Sequence, residues 1–289
     1  MKWHNITAAT RKSYSDDLER LFWSLGAISV TVADGSNSPI FEPGYGEMPL
    51  WYSIHMTALF PDSLDISKIG DELKDNKYDL VGHEILADRV WEREWLKYFR
   101  PTRFGRRLWI CPSEMDVSDI DAVTMKLDPG LAFGTGTHST TRLCLEWLSE
   151  ASLREVSLLD FGCGSGVLSI AASLLGAEDV MAIDNDPQAI LATQRNAKKN
   201  NVSRISTLLS NKPVGQYDIV VANILSEPLI DLSMQLKRSV ALGGILVLSG
   251  IMDSQLPEVL EAYSSFKFCD TRTHNRWVLL HFQNLDGEV

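Results

Sequence analysis

Between Leu127 and Asn223 the chain carries two glycine-rich loops, a strand-end aspartate and a strand-end asparagine, and their spacing admits few folds. The first loop reads Leu-Asp-Pro-Gly-Leu-Ala-Phe-Gly-Thr-Gly-Thr-His over residues 127–138; the second reads Asp-Phe-Gly-Cys-Gly-Ser-Gly over 160–166. Glycine leaves the backbone bare and free to take positive φ, so main chain can grip a ligand closely. The second loop follows the apolar run Val156-Ser157-Leu158-Leu159 and precedes Val167–Leu175, a run of good helix formers closed by Gly176. A second strand, Val180–Ile183, then ends in Asp184. An acidic residue about twenty positions after such a loop, at the end of the next strand, is the ribose-binding arrangement of nucleotide folds.

Two aspartates compete for the ribose. Asp186 precedes Pro187 and the helical stretch to Asn200, which is the place of an N-cap. Asp184 needs no such role, so its carboxylate is the favoured acceptor for ribose hydroxyls. The loop argues against a nicotinamide cofactor. A dinucleotide fingerprint has its third glycine five residues after the first; here that place is Val167, and Gly166 comes one residue early. The ligand left for strand, GxGxG loop, helix, strand and acid is S-adenosyl-L-methionine, with a ribose for Asp184 and a carboxylate suited to helix-terminal amides. Asn223 ends the apolar run Ile219–Ala222, which reads as a buried parallel strand. A polar residue there lies on the same sheet edge as Asp184, where ligands of doubly wound sheets bind. A turn-forming asparagine is the other reading. Ser139, Thr140 and Thr141 open a helical run and on local grounds read as caps. His138 sits at the same junction with no carboxylate partner in view, so a structural role is expected rather than that of a base.

The runs LDPGLAFGTGTHSTTRLCLEWL, LLDFGCGSGVLSIAA, AIDNDPQAI and YDIVVANIL closely resemble the PrmA-type methyltransferases, which modify protein eleven of the large ribosomal subunit. The resemblance is close from about residue 90 onward and before that holds in length and coarse pattern. It implies cofactor contacts at Thr141, Gly162, Asp184 and Asn223, and so reverses the local reading of Thr141. Phe133 and Gly164 complete the expected cofactor site. Asn185 stands where the family often has an apolar residue, and residues 210–216 form a short interval. The Asn-Pro-Pro-Tyr motif of amide and adenine methylases is absent, since Asn223 runs into Ile224-Leu225-Ser226. An aliphatic amine of a large-subunit ribosomal protein, lysine side chains and the N-terminal amine, is the expected acceptor. Such an amine needs no side-chain base if an apolar pocket desolvates it. Leu131 and Phe133 are candidate walls, and the Asn223 side chain or the Ile224 carbonyl would orient the nitrogen. A cofactor-sensing module without transfer and a small-molecule methyltransferase are the alternatives.

The remaining features bound the setting. A formal net charge of −11 weighs against a tightly held nucleic acid, and no DNA partner is expected. The start of the chain lacks an apolar signal region and no stretch is long enough to span a bilayer, so no membrane partner is expected. Cys111, Cys144, Cys163 and Cys269 are scattered without a CxxC pair, as for free thiols in the cytoplasm, and no metal site is expected. A monomer is expected.

Residues 1–86 read as a βαββαβ, ferredoxin-like recognition domain, with strands near 3–8, 28–32, 50–58 and 79–86 and helices near 13–25 and 66–75. A helical linker is expected over 87–108, with Trp91, Trp95 and Phe99 at helical spacing followed by Arg100, Arg103, Arg106 and Arg107. These arginines read as a solvated turn or as a docking surface for the substrate or its RNA. Residues 109–289 are expected to form a Rossmann-like methyltransferase domain with seven strands near 156, 179, 205, 218, 244, 266 and 276, the last antiparallel.

Overall fold

The structure, a computed structural model, describes residues 2–36, 50–75, 78–87, 100–128 and 138–285. The chain divides into two compact units, Met1–Glu94 and Trp95–Val289.

In the first unit β1 (Lys2–Arg11), α1 (Ser15–Ser24), β2 (Ser29–Asp34), β3 (Ser53–Pro61), α2 (Ile66–Asp75) and β4 (Asp79–Ala87) follow in βαββαβ order. The sheet runs β2-β3-β1-β4, and each of its pairings is antiparallel. Strict alternation explains its one buried face: Ile6 and Ala8 of β1 and Ile54, Met56, Ala58 and Phe60 of β3 pack on Leu18 and Phe22 of α1 and on Ile69 and Leu73 of α2. The helix expected from residue 13 begins two residues later, after a 3-10 turn over Lys12–Tyr14.

The second unit opens with a feature the sequence reading lacked. Strands β5 (Thr102–Phe104), β6 (Leu108–Cys111) and β7 (Val123–Lys126) form a small sheet, antiparallel between β5 and β6 and parallel between β6 and β7. The expected helix over 87–108 therefore does not extend over residues 100–108. Pro101 blocks it, because a proline biases its predecessor away from helical ψ and cannot donate to the ladder. Gly105, at φ +60, then turns the hairpin. Trp91, Trp95 and Phe99 lie outside the described residues.

The main sheet contains β8 (Ser157–Phe161), β9 (Asp179–Asp184), β10 (Ile205–Leu209), β11 (Tyr217–Asn223), β12 (Val240–Met252), β13 (Lys267–His274) and β14 (Trp277–Gln283) in the order β10-β9-β8-β11-β12-β14-β13. The first five are mutually parallel, and β14 runs antiparallel to both neighbours. Helices α3 (Ser139–Glu150), α4 (Val167–Leu175), α5 (Pro187–Lys199), α6 (Ser226–Asp231), α7 (Ser233–Arg238) and α8 (Leu256–Ala262) accompany it. Both sheet faces are buried. Leu158, Val221, Val247 and Leu279 point to one core with residues of α3 and α4, while Leu159, Val220, Leu246 and Leu280 point to the other with Leu229, Leu236 and Val259. Chain order reverses between β8 and β11, and ligands of doubly wound sheets bind at the carboxyl ends of the strands at such a switch point.

Candidate functional site

The glycine loop after β8 is shaped by three positive φ values: +78 at Gly162, +54 at Gly164 and +78 at Gly166. Its start is tied to the neighbouring strand, since the Gly162 and Cys163 amides both donate to the Ile183 carbonyl, at 2.8 and 3.0 Å. Its far end is pressed onto α5. A Cβ at Gly166 would lie 2.8 Å from Thr193 Cγ2 and 3.0 Å from Thr193 Cα, so the early third glycine serves close packing against the next helix. Thr193 Oγ1 donates to the Gly164 carbonyl at 3.1 Å, and Asn196 Nδ2 donates to that of Ser165 at 2.8 Å.

The two competing aspartates take different places. Asp186 caps α5, its carboxylate accepting from the Gln188 amide at 2.8 Å with Pro187 in the first turn. Asp184 stands half-buried at the end of β9; Oδ2 accepts from the Gly164 amide at 2.9 Å and Oδ1 from the Asp186 amide at 3.0 Å. Each of its oxygens retains a lone pair.

Asp160, which the sequence reading placed at the head of the loop and did not single out, is the penultimate residue of β8. It is 1% exposed. Its Oδ2 accepts from the Ser169 amide at 3.0 Å and from Ser169 Oγ at 2.5 Å, whereas its Oδ1 is buried with no hydrogen-bond partner among the described residues. Burial pushes its carboxyl up to about 6; the Ser169 bonds oppose that shift and the nearby Asp184 charge adds to it. Its identity as an acidic residue heading the glycine run was the available signal.

On the neighbouring strand, Asn223 ends β11, and its Nδ2 donates to Oγ1 of the buried Thr141 at 3.4 Å. Thr141 does not cap its helix. His138 does, with Nδ1 accepting from the Thr140 amide at 3.4 Å and lying 2.8 Å from Thr140 Oγ1. The His138 ring packs edge-on to Trp277, with centroids 5.1 Å apart, and burial lowers its pKa. Ile224, half-buried, follows Asn223 and contacts the loop at Gly162. Phe133, Leu131 and most of the first glycine loop lie outside the described residues.

The sequence profile of the ribosomal protein L11 methyltransferase (PrmA) family matches residues 2–285. The chain belongs to that family. A relative named ribosomal protein L11 methyltransferase from Methylococcus capsulatus is 45% identical over 268 residues, 91% of this chain and 92% of that protein. One of the same name from Hahella chejuensis is 43% identical over 290 residues, 99% of each. The crystal structure of ribosomal protein L11 methylase from Lactobacillus delbrueckii subsp. bulgaricus is similar with a TM-score of 0.60 at 32% identity, covering 65% of this chain and 99% of that one. The mixed α/β sheet is thus one shared with that methylase.

Among the residues expected from sequence, Gly164 is hydrogen-bonded to Asp184, Gly162 is tied to the same strand through the Ile183 carbonyl, and Thr141 is paired with Asn223. Ile224 touches Gly162 through its side chain and follows Asn223 in the chain. The Gly162 and Gly164 backbone, the Asp184 carboxylate and an Asp160 oxygen with no hydrogen-bond partner among the described residues lie near the carboxyl ends of β8 and β9.

Proposed function

We propose that the chain is an S-adenosyl-L-methionine-dependent methyltransferase acting on amino groups, lysine side chains and the N-terminal amine, of ribosomal protein L11. The observation that carries this is Oδ1 of Asp160, buried with no hydrogen-bond partner among the described residues two positions before Gly162, together with the Gly164–Asp184 bond. A buried acceptor left without a partner costs about 1–3 kcal/mol. The ammonium of an amino-acid moiety is a donor of the right charge for it. Asp184 accepts the ribose hydroxyls, while Gly162 and Gly164 present bare backbone. The remaining PrmA-type contacts are Thr141 and Asn223, and Phe133 is a further cofactor contact. The cofactor supplies an electrophilic methyl group on a sulfonium.

The chain's own task is to present a neutral amine in line. A lysine of ordinary pKa about 10.4 must lose a proton at a cost of about 5 kcal/mol at pH 7. His138 spends Nδ1 on its helix cap, so it is not assigned as the base. Desolvation by apolar walls lowers the amine pKa instead, and the Asn223 side chain or the Ile224 carbonyl orients the nitrogen. Residues 1–86 serve as a ferredoxin-like recognition domain, a reading supported by the βαββαβ order and the β2-β3-β1-β4 sheet. Residues 109–289 are the catalytic domain. No helix among the described residues is long and apolar enough to cross a membrane, and the enzyme is read as a cytoplasmic monomer.

Labelled methyl donor offered with ribosomal proteins, ribosomal RNA, transfer RNA and DNA in parallel tests the proposal. Label confined to L11 is expected. Label on nucleic acid refutes the substrate class, and binding without transfer to anything favours a sensing module.

A further inference from the structure

Ile224, which follows β11, stands between two glycines held at positive φ that belong to the loop after β8 and to β12, the strands on either side of β11. Gly162, at φ +78, opens the loop after β8; Gly250, at φ +89, lies within β12. A Cβ at Gly162 would overlap Ile224 Cγ2, with Ile224 Cβ next at 3.9 Å. A Cβ at Gly250 would overlap the Ile224 carbonyl oxygen and lie 2.7 Å from its carbonyl carbon and 3.2 Å from its nitrogen. The first contact is with a side chain, the second with a peptide group. Only glycine supplies both the φ and the clearance at these two places.

Gly250 is also no ordinary strand residue. The pairing of β12 with β14 slips between Leu248 and Ile251, which makes Ser249–Gly250 a bulge. Ser249 is the partner of Asn223 across β11 and β12. Its hydroxyl is in reach of two carbonyls, that of Thr140 at 3.4 Å and that of Val278 at 3.3 Å. Bulges beside active sites re-aim the groups around them. This one turns bare backbone onto the peptide that follows Asn223 and sits under the first turn of α3.

We propose that Gly250 is a positioning residue for methyl transfer. Its bulge sets the Ile224 peptide, and the Ile224 side chain carries that setting to Gly162, keeping the acceptor edge and the cofactor loop in register through one residue. The inference rests on the reading that Asn223 and Ile224 face the amine. A methyl group added at Gly250 must displace the Ile224 carbonyl, and a misplacement of about 1 Å near the chemistry can cost about a hundredfold in rate.

Gly250→Ala is therefore expected to lower kcat by at least about thirtyfold. Its affinity for the cofactor product S-adenosylhomocysteine should fall far less than kcat does, with melting curves confirming the fold. Gly162→Ala is expected to weaken binding of that product instead. Ile224→Leu, which moves the branch away from Cβ, should recover much of the Gly162→Ala loss and none of the Gly250→Ala loss, because the latter clash is with backbone. A folded Gly250→Ala enzyme with unchanged kcat overturns the proposal, as does additivity of the Gly162 and Ile224 substitutions within about threefold. If Gly250→Ala does not fold, Ser249→Ala, which loosens the same bulge, is read in its place. A fall in its kcat then supports the proposal and an unchanged kcat overturns it, while the Gly162–Ile224 cycle, read by binding, tests the coupling to the loop. If the wild-type chain binds the product but methylates no protein, the proposed function fails, while the same cycle still tests the coupling.

Discussion

Replacing Asp160 by asparagine should change both how stability depends on pH and how tightly the cofactor binds. The carboxyl is pushed up to about 6, chiefly by burial, against an ordinary value of about 3.9. That gap corresponds to about 3 kcal/mol between the protonation states. The folded protein holds this proton more tightly than the unfolded chain does. Between about pH 4 and pH 6 it therefore carries more protons, and its stability falls as pH rises through that window. Above the window the loss is complete and constant. An amide in place of the carboxyl has no proton to lose, so urea unfolding of Asp160→Asn and wild type should diverge by about 2 kcal/mol between pH 4 and pH 7.5, in favour of the variant at the higher pH. The constant offset from the new amide drops out of that difference. Titration with S-adenosylmethionine reads the second effect. Loss of a charge-assisted bond to its ammonium is worth about 1.5–3 kcal/mol, or roughly ten- to a hundredfold in affinity at pH 7.5. Parallel stability curves for the two proteins would show that Asp160 is not the ionising group, and unchanged affinity would remove the ammonium from its unpaired oxygen.

Asp184→Ala should weaken cofactor binding about ten- to a hundredfold, whereas Asp186→Ala should cost about 1 kcal/mol of stability through the lost cap and leave affinity nearly intact; calorimetric titration showing the reverse would exchange their roles. His138→Ala should lower stability by about 1 kcal/mol and activity by less than tenfold, with the rate rising with pH and levelling off well below 10. A folded, cofactor-binding His138→Ala enzyme that is inactive at every pH would identify it as the base. A shortened chain beginning at Trp95, where the second compact unit starts, should still bind S-adenosylmethionine yet methylate intact L11 poorly. Full activity from it would remove the recognition role of residues 1–86.

What could be read from the sequence alone was what local chemistry dictates. Asp186-Pro187 had to start a helix and Gly176 had to stop one, because caps act over a few residues. The alternating runs of β1 and β3 and the unbroken apolar runs of β8 and β11 declared a half-buried and a fully buried sheet in turn. Where residues meet across long separations, the sequence was silent. Pro101 was a local signal against continuing the linker helix, but the parallel pairing of β6 with β7 joins segments whose partners could not be named beforehand. Asp160 looked like a loop residue. Only the packed sheet buries it, and burial is what raises its pKa; one oxygen is occupied by Ser169 and the other has no hydrogen-bond partner among the described residues. His138 took the cap that Thr141 was given on local grounds, freeing Thr141 to meet Asn223. The contacts of Ile224 with Gly162 and Gly250 exist because β8, β11 and β12 are neighbours in the sheet and far apart in the chain. Propensities and caps are properties of a few adjacent residues; burial, charge environment and clearance belong to the tertiary structure.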